Sequence, residues 1–300
     1  MKRHRNRTAA HRAGASLSAL LGCALGLLGA GCSKQTSREP TPATQPDRNA
    51  AVATKPSAAR SSVSAPPSSA ATGITSASAD VYATSQGELR IVPIHHGSFR
   101  LELGTLQVYV DPYKSELFAQ APKADLILVT DIHQDHYDAA AISAVQTPAT
   151  QLVVPAVVAE KAAEAEILKN GETRAVGGIS LLAVPMYNLQ RGPKPGAVFH
   201  EKGRGNGYVL TWGGKRIYIA GDTECTQEMR ALQAIDIAFV PMNLPYTMPP
   251  EEAAECVKAF RPKVVYPYHY RGSDLGVFKQ ALATTPEIDV RLREWYPSGS

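Results

Sequence analysis

The sequence predicts a layered α/β domain built on two mixed β-sheets, preceded by a long segment that does not fold with it. Three observations lead there. Short apolar stretches of strand character come first in groups and then alternate with helix-like stretches. Gly213-Gly214, between Trp212 and Lys215, is a two-residue hairpin signal. His and Asp residues also collect just past the ends of strand-like stretches, where rigid strands position the loops that carry α/β sites.

Along the chain, strands are expected at residues 89–94, 99–103, 106–110, 126–130, 179–184, 208–212, 216–220, 235–240 and 263–266. Helices are expected at residues 139–146, 157–169, 226–234, 250–260 and 274–283. The start at Pro249-Pro250-Glu251-Glu252 is well marked, with proline in the first turn and acids near the positive end of the helix. The folded part therefore runs over residues 87–300, long enough for one sizeable core.

The part before it reads differently. Lys2, Arg3, Arg5, Arg7 and Arg12 precede an apolar run over residues 15–31, and Cys32 follows. Basic, then apolar, then small residues is the order of a secretory signal, here residues 1–31. Leu28-Gly29-Ala30-Gly31-Cys32 resembles a bacterial lipobox, which implies a lipid anchor on Cys32 and a place in the cell envelope. An uncleaved membrane anchor is the alternative, although 17 residues with four glycines is short for a span. Residues 32–86 are rich in Ser, Ala, Thr and Pro and hold almost no large apolar groups, so they read as a disordered tether. Without residues 1–31 the chain carries 26 basic and 27 acidic side chains, which gives no support to nucleic-acid binding through bulk charge. Of four cysteines, Cys23 lies in the signal and Cys32 at the anchor. Cys225 and Cys256 could pair outside the cytoplasm, or Cys225 could equally be a buried thiol.

The densest chemistry is the run Thr130-Asp131-Ile132-His133-Gln134-Asp135-His136-Tyr137-Asp138, which follows the stretch at 126–130. Asp222 lies past the stretch at 216–220, His269 past that at 263–266, and His95-His96 past that at 89–94. Alone, each has an ordinary explanation: a capping Asp, a packed His. Together they offer imidazole and carboxylate ligands suited to one or two divalent ions such as zinc, manganese or iron.

This region resembles the metallo-β-lactamase superfamily, whose central motif is His-x-His-x-Asp-His after a strand. Ile94-His95-His96-Gly97-Ser98-Phe99, Val110-Asp111-Pro112, the segment from Ile217 to Thr223, and Pro267-Tyr268-His269-Tyr270 resemble the branch containing L-ascorbate-6-phosphate lactonases and N-acyl-phosphatidylethanolamine phospholipase D. The resemblance implies a four-layer αββα sandwich of two mixed β-sheets and hydrolysis by a metal-bound water. It implies His133 at a first metal, Asp135, His136 and His269 at a second, and Asp222 bridging them. It also marks two departures at the first metal: Asp131 stands where the motif has histidine, and Tyr187-Asn188 stands where another histidine is due. Both offer oxygen ligands, which make a site harder and less zinc-like. Three accounts of the departures compete: a preference for manganese or iron, tight binding at the second position only, or His200 folding in as a replacement ligand. His200 otherwise reads as an exposed loop histidine.

The chemistry implied is attack of an activated water on a lactone, amide or phosphodiester of a small-molecule substrate, with lactone and phosphodiester favoured by the branch. Asp135 is the candidate to hold or accept the water's proton, and His96 the candidate contact to substrate or ligand; His95 points the other way by strand alternation. Lys202 and Arg204 could meet an anionic group, or form a solvated loop. Tyr137, Tyr187, Tyr246, Tyr268 and Tyr270 could line the pocket or pack. A different class of function is a surface-tethered binding protein that kept the fold and lost catalysis through Asp131 and Asn188.

Overall fold

The computed structural model describes residues 79–296. The signal, Cys23, Cys32 and the tether up to residue 78 lie outside the described residues. Two seven-stranded sheets are each built from one contiguous stretch of chain. The first runs in sequence order through β1 (Asp80–Thr84), β2 (Gly87–His95), β3 (Ser98–Leu103), β4 (Leu106–Val110), β5 (Leu126–Leu128), β6 (Gln151–Val154) and β7 (Glu166–Ile167). The second runs through β8 (Thr173–Val176), β9 (Ile179–Met186), β10 (Gly205–Trp212), β11 (Lys215–Ile219), β12 (Ile237–Pro241), β13 (Val264–Tyr268) and β14 (Asp289–Val290). In both, the first four strands are antiparallel and the rest are added in parallel. The parallel halves need crossovers, and these carry the helices.

Helices α1 (Ala139–Val145) and α2 (Ala156–Ala159) cover the outer face of the first sheet, packing Ile142, Val145 and Val158 against Tyr109, Ile127 and Val129. Helices α3 (Gln227–Arg230), α4 (Pro250–Phe260) and α5 (Leu275–Ala281) cover the second through Met229, Val257 and Phe278. Between the sheets lies the central core, where Phe99 of β3 stacks on Phe239 of β12 with ring centroids 4.1 Å apart. Truncating Phe99 to alanine there should cost about 3–5 kcal/mol. This is the expected four-layer αββα sandwich. It also explains why residues 126–129 read as an unbroken apolar run: Leu126 and Leu128 face the central core while Ile127 and Val129 face α1.

The hairpin at Gly213-Gly214 joins β10 to β11 with φ of 55° and 77°, a conformation that glycine adopts without strain. Helix α4 starts on Pro250 with Glu251 and Glu252 in its first turn.

Elsewhere the expectations need correction. The tether does not extend to residue 86, because β1 pairs with β2, Asp80 accepts from Arg293, and the Tyr82 hydroxyl lies 2.5 Å from that of Tyr266. The helix expected over residues 157–169 stops after α2, and β7 follows. Its Ala- and Glu-rich sequence favours a helix, but the buried Leu168 joins the central core and β7 pairs with β6, so tertiary packing overrides propensity. Strands β6, β8 and β14 were not foreseen. Cys225 and Cys256 form a disulfide with Cα atoms 5.6 Å apart, tying the segment after Asp222 to α4. A loop spanning 31 residues makes that link worth about 3–4 kcal/mol in the chain-entropy picture. Among the described residues, no helix is long and apolar enough to cross a membrane.

Candidate metal centre

The site sits where the two sheets present neighbouring strand ends. Asp131, His133, Asp135 and His136 occupy the loop after β5, and Asp138 at its end caps α1 by accepting from the backbone of Ala140 and Ala141. Asp222 follows β11 through Gly221, whose φ is +67° and whose amide donates to the Tyr268 hydroxyl. His269 follows β13. Three site residues other than glycine take left-handed backbone angles: His96 (57°), Asp111 (43°) and His269 (48°). The His269 amide donates to the His96 carbonyl at 3.0 Å, tying the two loops together. Gly97 lets the backbone pass there, since a Cβ would lie 3.3 Å from the His269 ring.

At the second position the ligand atoms converge. His136 Nε2 lies 3.3 Å from Asp222 Oδ2, His269 Nε2 lies 3.5 Å from Asp222 Oδ1, and His269 Nε2 lies 3.3 Å from Asp135 Oδ2. Donors about 2.0–2.2 Å from one tetrahedral ion are separated by such distances. Among the described residues, His136 Nε2, His269 Nε2 and Asp222 Oδ1 are buried with no hydrogen-bond partner. Buried polar atoms are normally satisfied, so these lone pairs suit a cation at their common centre. His136 is aimed by a residue for which the sequence offered no role. Fully buried Asp111 accepts from His136 Nδ1 at 2.8 Å, and from the hydroxyl and amide of Thr130 at 2.6 and 2.7 Å. That fixes the proton on Nδ1 and turns the Nε2 lone pair inward.

The electrostatics agree. Burial pushes the Asp135 and Asp222 carboxyls up, but the His136 and His269 rings against them outweigh it and hold both well below the usual carboxylate range. Burial pushes His136 down, yet the carboxylates of Asp222, Asp111 and Asp135 hold it well above an ordinary imidazole. The pocket is thus built around positive charge, which a proton on His136 supplies in competition with a metal ion.

The first position is equally dense but arranged differently. Asp131 is fully buried and forms a bidentate ion pair with Arg204, with Nε to Oδ1 at 3.1 Å and Nη2 to Oδ2 at 2.9 Å. His133 Nδ1 lies 2.8 Å from Asp131 Oδ2 and 3.3 Å from His200 Nε2. His200 is 1% exposed and its Nε2 is 3.6 Å from Asp222 Oδ2, so it is no solvent-facing loop histidine and stands among the ligand side chains. Asn188 does not join them. Its carbonyl oxygen accepts from the His200 amide and from His200 Nδ1, both at 2.8 Å, so it orients His200 rather than offering a ligand. The expected anion contacts are also committed elsewhere: Lys202 pairs with Glu228, and Arg204 with Asp131. Burial raises the Asp131 carboxyl, but His133, His136 and Arg204 outweigh it and keep it below its ordinary value.

His96 faces the pocket. The Tyr296 hydroxyl accepts from the Arg271 amide at 2.9 Å and so donates to His96 Nδ1 at 2.6 Å. The proton of His96 therefore sits on Nε2, which donates to Asp135 Oδ2 at 3.1 Å. Burial lowers this imidazole to about 4, so at neutral pH it positions Asp135 and does not take up protons. His95 packs against Tyr113 and Tyr296 and does not line the cavity above the cluster. Of the tyrosines, Tyr246 reaches the cavity, Tyr268 supports Gly221, and Tyr187 bonds Glu228.

Above the cluster opens a cavity of about 360 Å³, with Phe199, Tyr246, Asn243 and Arg271 among its walls. A wider depression of about 640 Å³ beside α5 holds none of these groups. Among the described residues, the Arg271 side chain makes no ion pair or side-chain hydrogen bond, unlike Arg204. Sequence reasoning missed Asp111, Arg204 as partner of Asp131, and Arg271; Asp111 alone had a signal, as the only acid at the end of β4.

Comparison with known proteins agrees with this geometry. Residues 90–269 match the family described as the β-lactamase superfamily domain. A UPF0173 metal-dependent hydrolase from Symbiobacterium thermophilum is 30% identical over 221 residues, spanning 69% of this chain and 92% of that protein. A structure described as a metal-dependent hydrolase from Parabacteroides distasonis is 42% identical, covers 73% of this chain and 99% of its own, and superposes with a TM-score of 0.69. Igni18, a metallo hydrolase from Ignicoccus hospitalis, shares the fold at 24% identity and a TM-score of 0.58, over 69% of this chain and 95% of its own. The chain belongs to the β-lactamase superfamily domain family, with the metallo-β-lactamase fold and relatives named metal-dependent hydrolases.

Proposed function

We propose that this protein hydrolyses a lactone or phosphodiester in a small anionic substrate, using a divalent ion held by Asp135, His136, Asp222 and His269. The observation that carries this is the set of buried, unpartnered ligand atoms at the floor of an open cavity. A divalent ion there, zinc or one of the harder ions manganese and iron, supplies Lewis acidity and an activated water nucleophile. The chain's own residues do the rest. Asp135, held by His96 through Nε2–H, keeps one carboxylate oxygen for a water or its proton. Arg271 at the wall offers an uncommitted charge to a phosphate or carboxylate, and Phe199 and Tyr246, in edge contact with ring centroids 4.9 Å apart, offer an apolar face to the substrate's remainder.

The test is a screen of generic lactones and bis-phosphodiesters with zinc, manganese or iron added. Turnover should be lost in His136→Ala, while Arg271→Met should raise KM more than it lowers kcat. Turnover that survives His136→Ala would sink the metal mechanism. A degenerate binding protein is disfavoured by the unpartnered ligand atoms, which a site that had lost its cation would not need to keep. We further propose that residues 1–31 export the chain and that Cys32 carries a lipid anchor. The Cys225–Cys256 disulfide suits an oxidising compartment. Cys32→Ala should move the protein from the membrane fraction to the soluble one.

A further inference from the structure

The two positions differ in how their lone pairs are used. At the second, His136 Nε2, His269 Nε2 and Asp222 Oδ1 have no partner. At the first, a chain of hydrogen bonds uses every ring nitrogen. Arg204 Nη2 donates to His133 Nε2 at 2.8 Å, which leaves the proton of His133 on Nδ1, shared between Asp131 Oδ2 at 2.8 Å and His200 Nε2 at 3.3 Å. His200 in turn donates from Nδ1 to the Asn188 carbonyl oxygen, and Asn188 donates to the Tyr246 carbonyl at 2.8 Å and to Glu224 at 3.2 Å. Neither ring nitrogen of the buried His200 is among the unpartnered atoms.

Building on the hydrolase reading, we propose that the centre holds a single divalent ion, at the second position, and that the guanidinium of Arg204 stands in for the ion at the first. The head group is held on four sides: by both oxygens of Asp131, by His133 Nε2 and by the Phe199 carbonyl at 3.1 Å. It neutralises Asp131 as a metal would. It also caps His133 on Nε2, and an ion on His133 Nδ1 would move that proton to Nε2, against the Arg204 N–H. The charge count points the same way. Arg204 neutralises Asp131 at the first position, whereas at the second Asp135, Asp222 and the Asp111 behind His136 are paired only with histidine rings among the described residues.

The experiment is calorimetric titration of the metal-stripped, full-length chain with zinc sulfate, followed by anomalous scattering from crystals grown with zinc. We expect one tight equivalent, placed among Asp135, His136, Asp222 and His269, with any second binding at least about 100-fold weaker because it would face the fixed cation. The double variant Asp131→His, Arg204→Gln should take two equivalents. Two wild-type equivalents of similar affinity, or a peak beside His133 and His200, would overturn the proposal and leave the hydrolase reading intact. A single equivalent in a double variant whose circular dichroism matches wild type would overturn the role of Arg204. No binding at all would remove both readings.

Discussion

The two halves of the centre carry comparable numbers of His and Asp side chains within a few ångströms, and they resolve their electrostatics in opposite ways. Around His136, three carboxylates press on one imidazole, and ligand atoms remain without partners. Around Asp131, an arginine closes a bidentate pair and the histidines bond in series. The density of ligand types is therefore a poor guide to metal occupancy. What separates the halves is whether protons and fixed cations already satisfy the donors.

The contrast can be broken most directly at His136. Replacing it by alanine should lower metal affinity by more than about 100-fold, the upper end for loss of an outer hydrogen-bond partner, with circular dichroism unchanged. Asp111→Asn tests the support behind it. The amide cannot accept from His136 Nδ1 at one end and the Thr130 backbone amide at the other, so affinity should fall about 10–100-fold; a change under about threefold would show that Asp111 serves packing alone. Across the divide, Asn188→Ala frees the His200 ring and should alter kcat while leaving the equivalents of metal bound unchanged. Loss of metal in that variant would merge the two halves into one.

The smallest effect concerns pH. Burial lowers both His95 and His96 to about 4, below the unfolded value near 6.5. A lowered folded value means the unfolded state binds more protons between those limits, so stability is full above about 6.5 and falls as pH drops toward about 4. Melting curves of the chelated protein over that window should show the decline, and a flat profile would contradict the buried, neutral state assigned to both rings.

Much of this was legible in the chain. The apolar runs at β2, β5, β11 and β13 and the His and Asp residues just beyond them mark both the sheets and the loops that meet, because strand burial and loop chemistry are local signals. Asp135, His136, Asp222 and His269 were readable for that reason. The role of Asp111 was not, since a carboxylate bonded to Thr130 and His136 depends on a contact across the sheet. Arg204 lies 73 positions from Asp131, and no spacing rule links them. Residues 157–169 misled because their composition favours a helix while Leu168 is claimed by the central core.

Each sheet is drawn from its own stretch of the chain, with β7 and β8 at the seam. Asp135 and His136 belong to the first stretch, Asp222 and His269 to the second. An ion at the second position is therefore a crosslink between two halves of the polypeptide, besides being a reagent. Binding to the folded state alone adds stability that grows with the logarithm of free metal concentration. The supply of free metal around the protein would then set how long the folded chain survives as well as how fast it works.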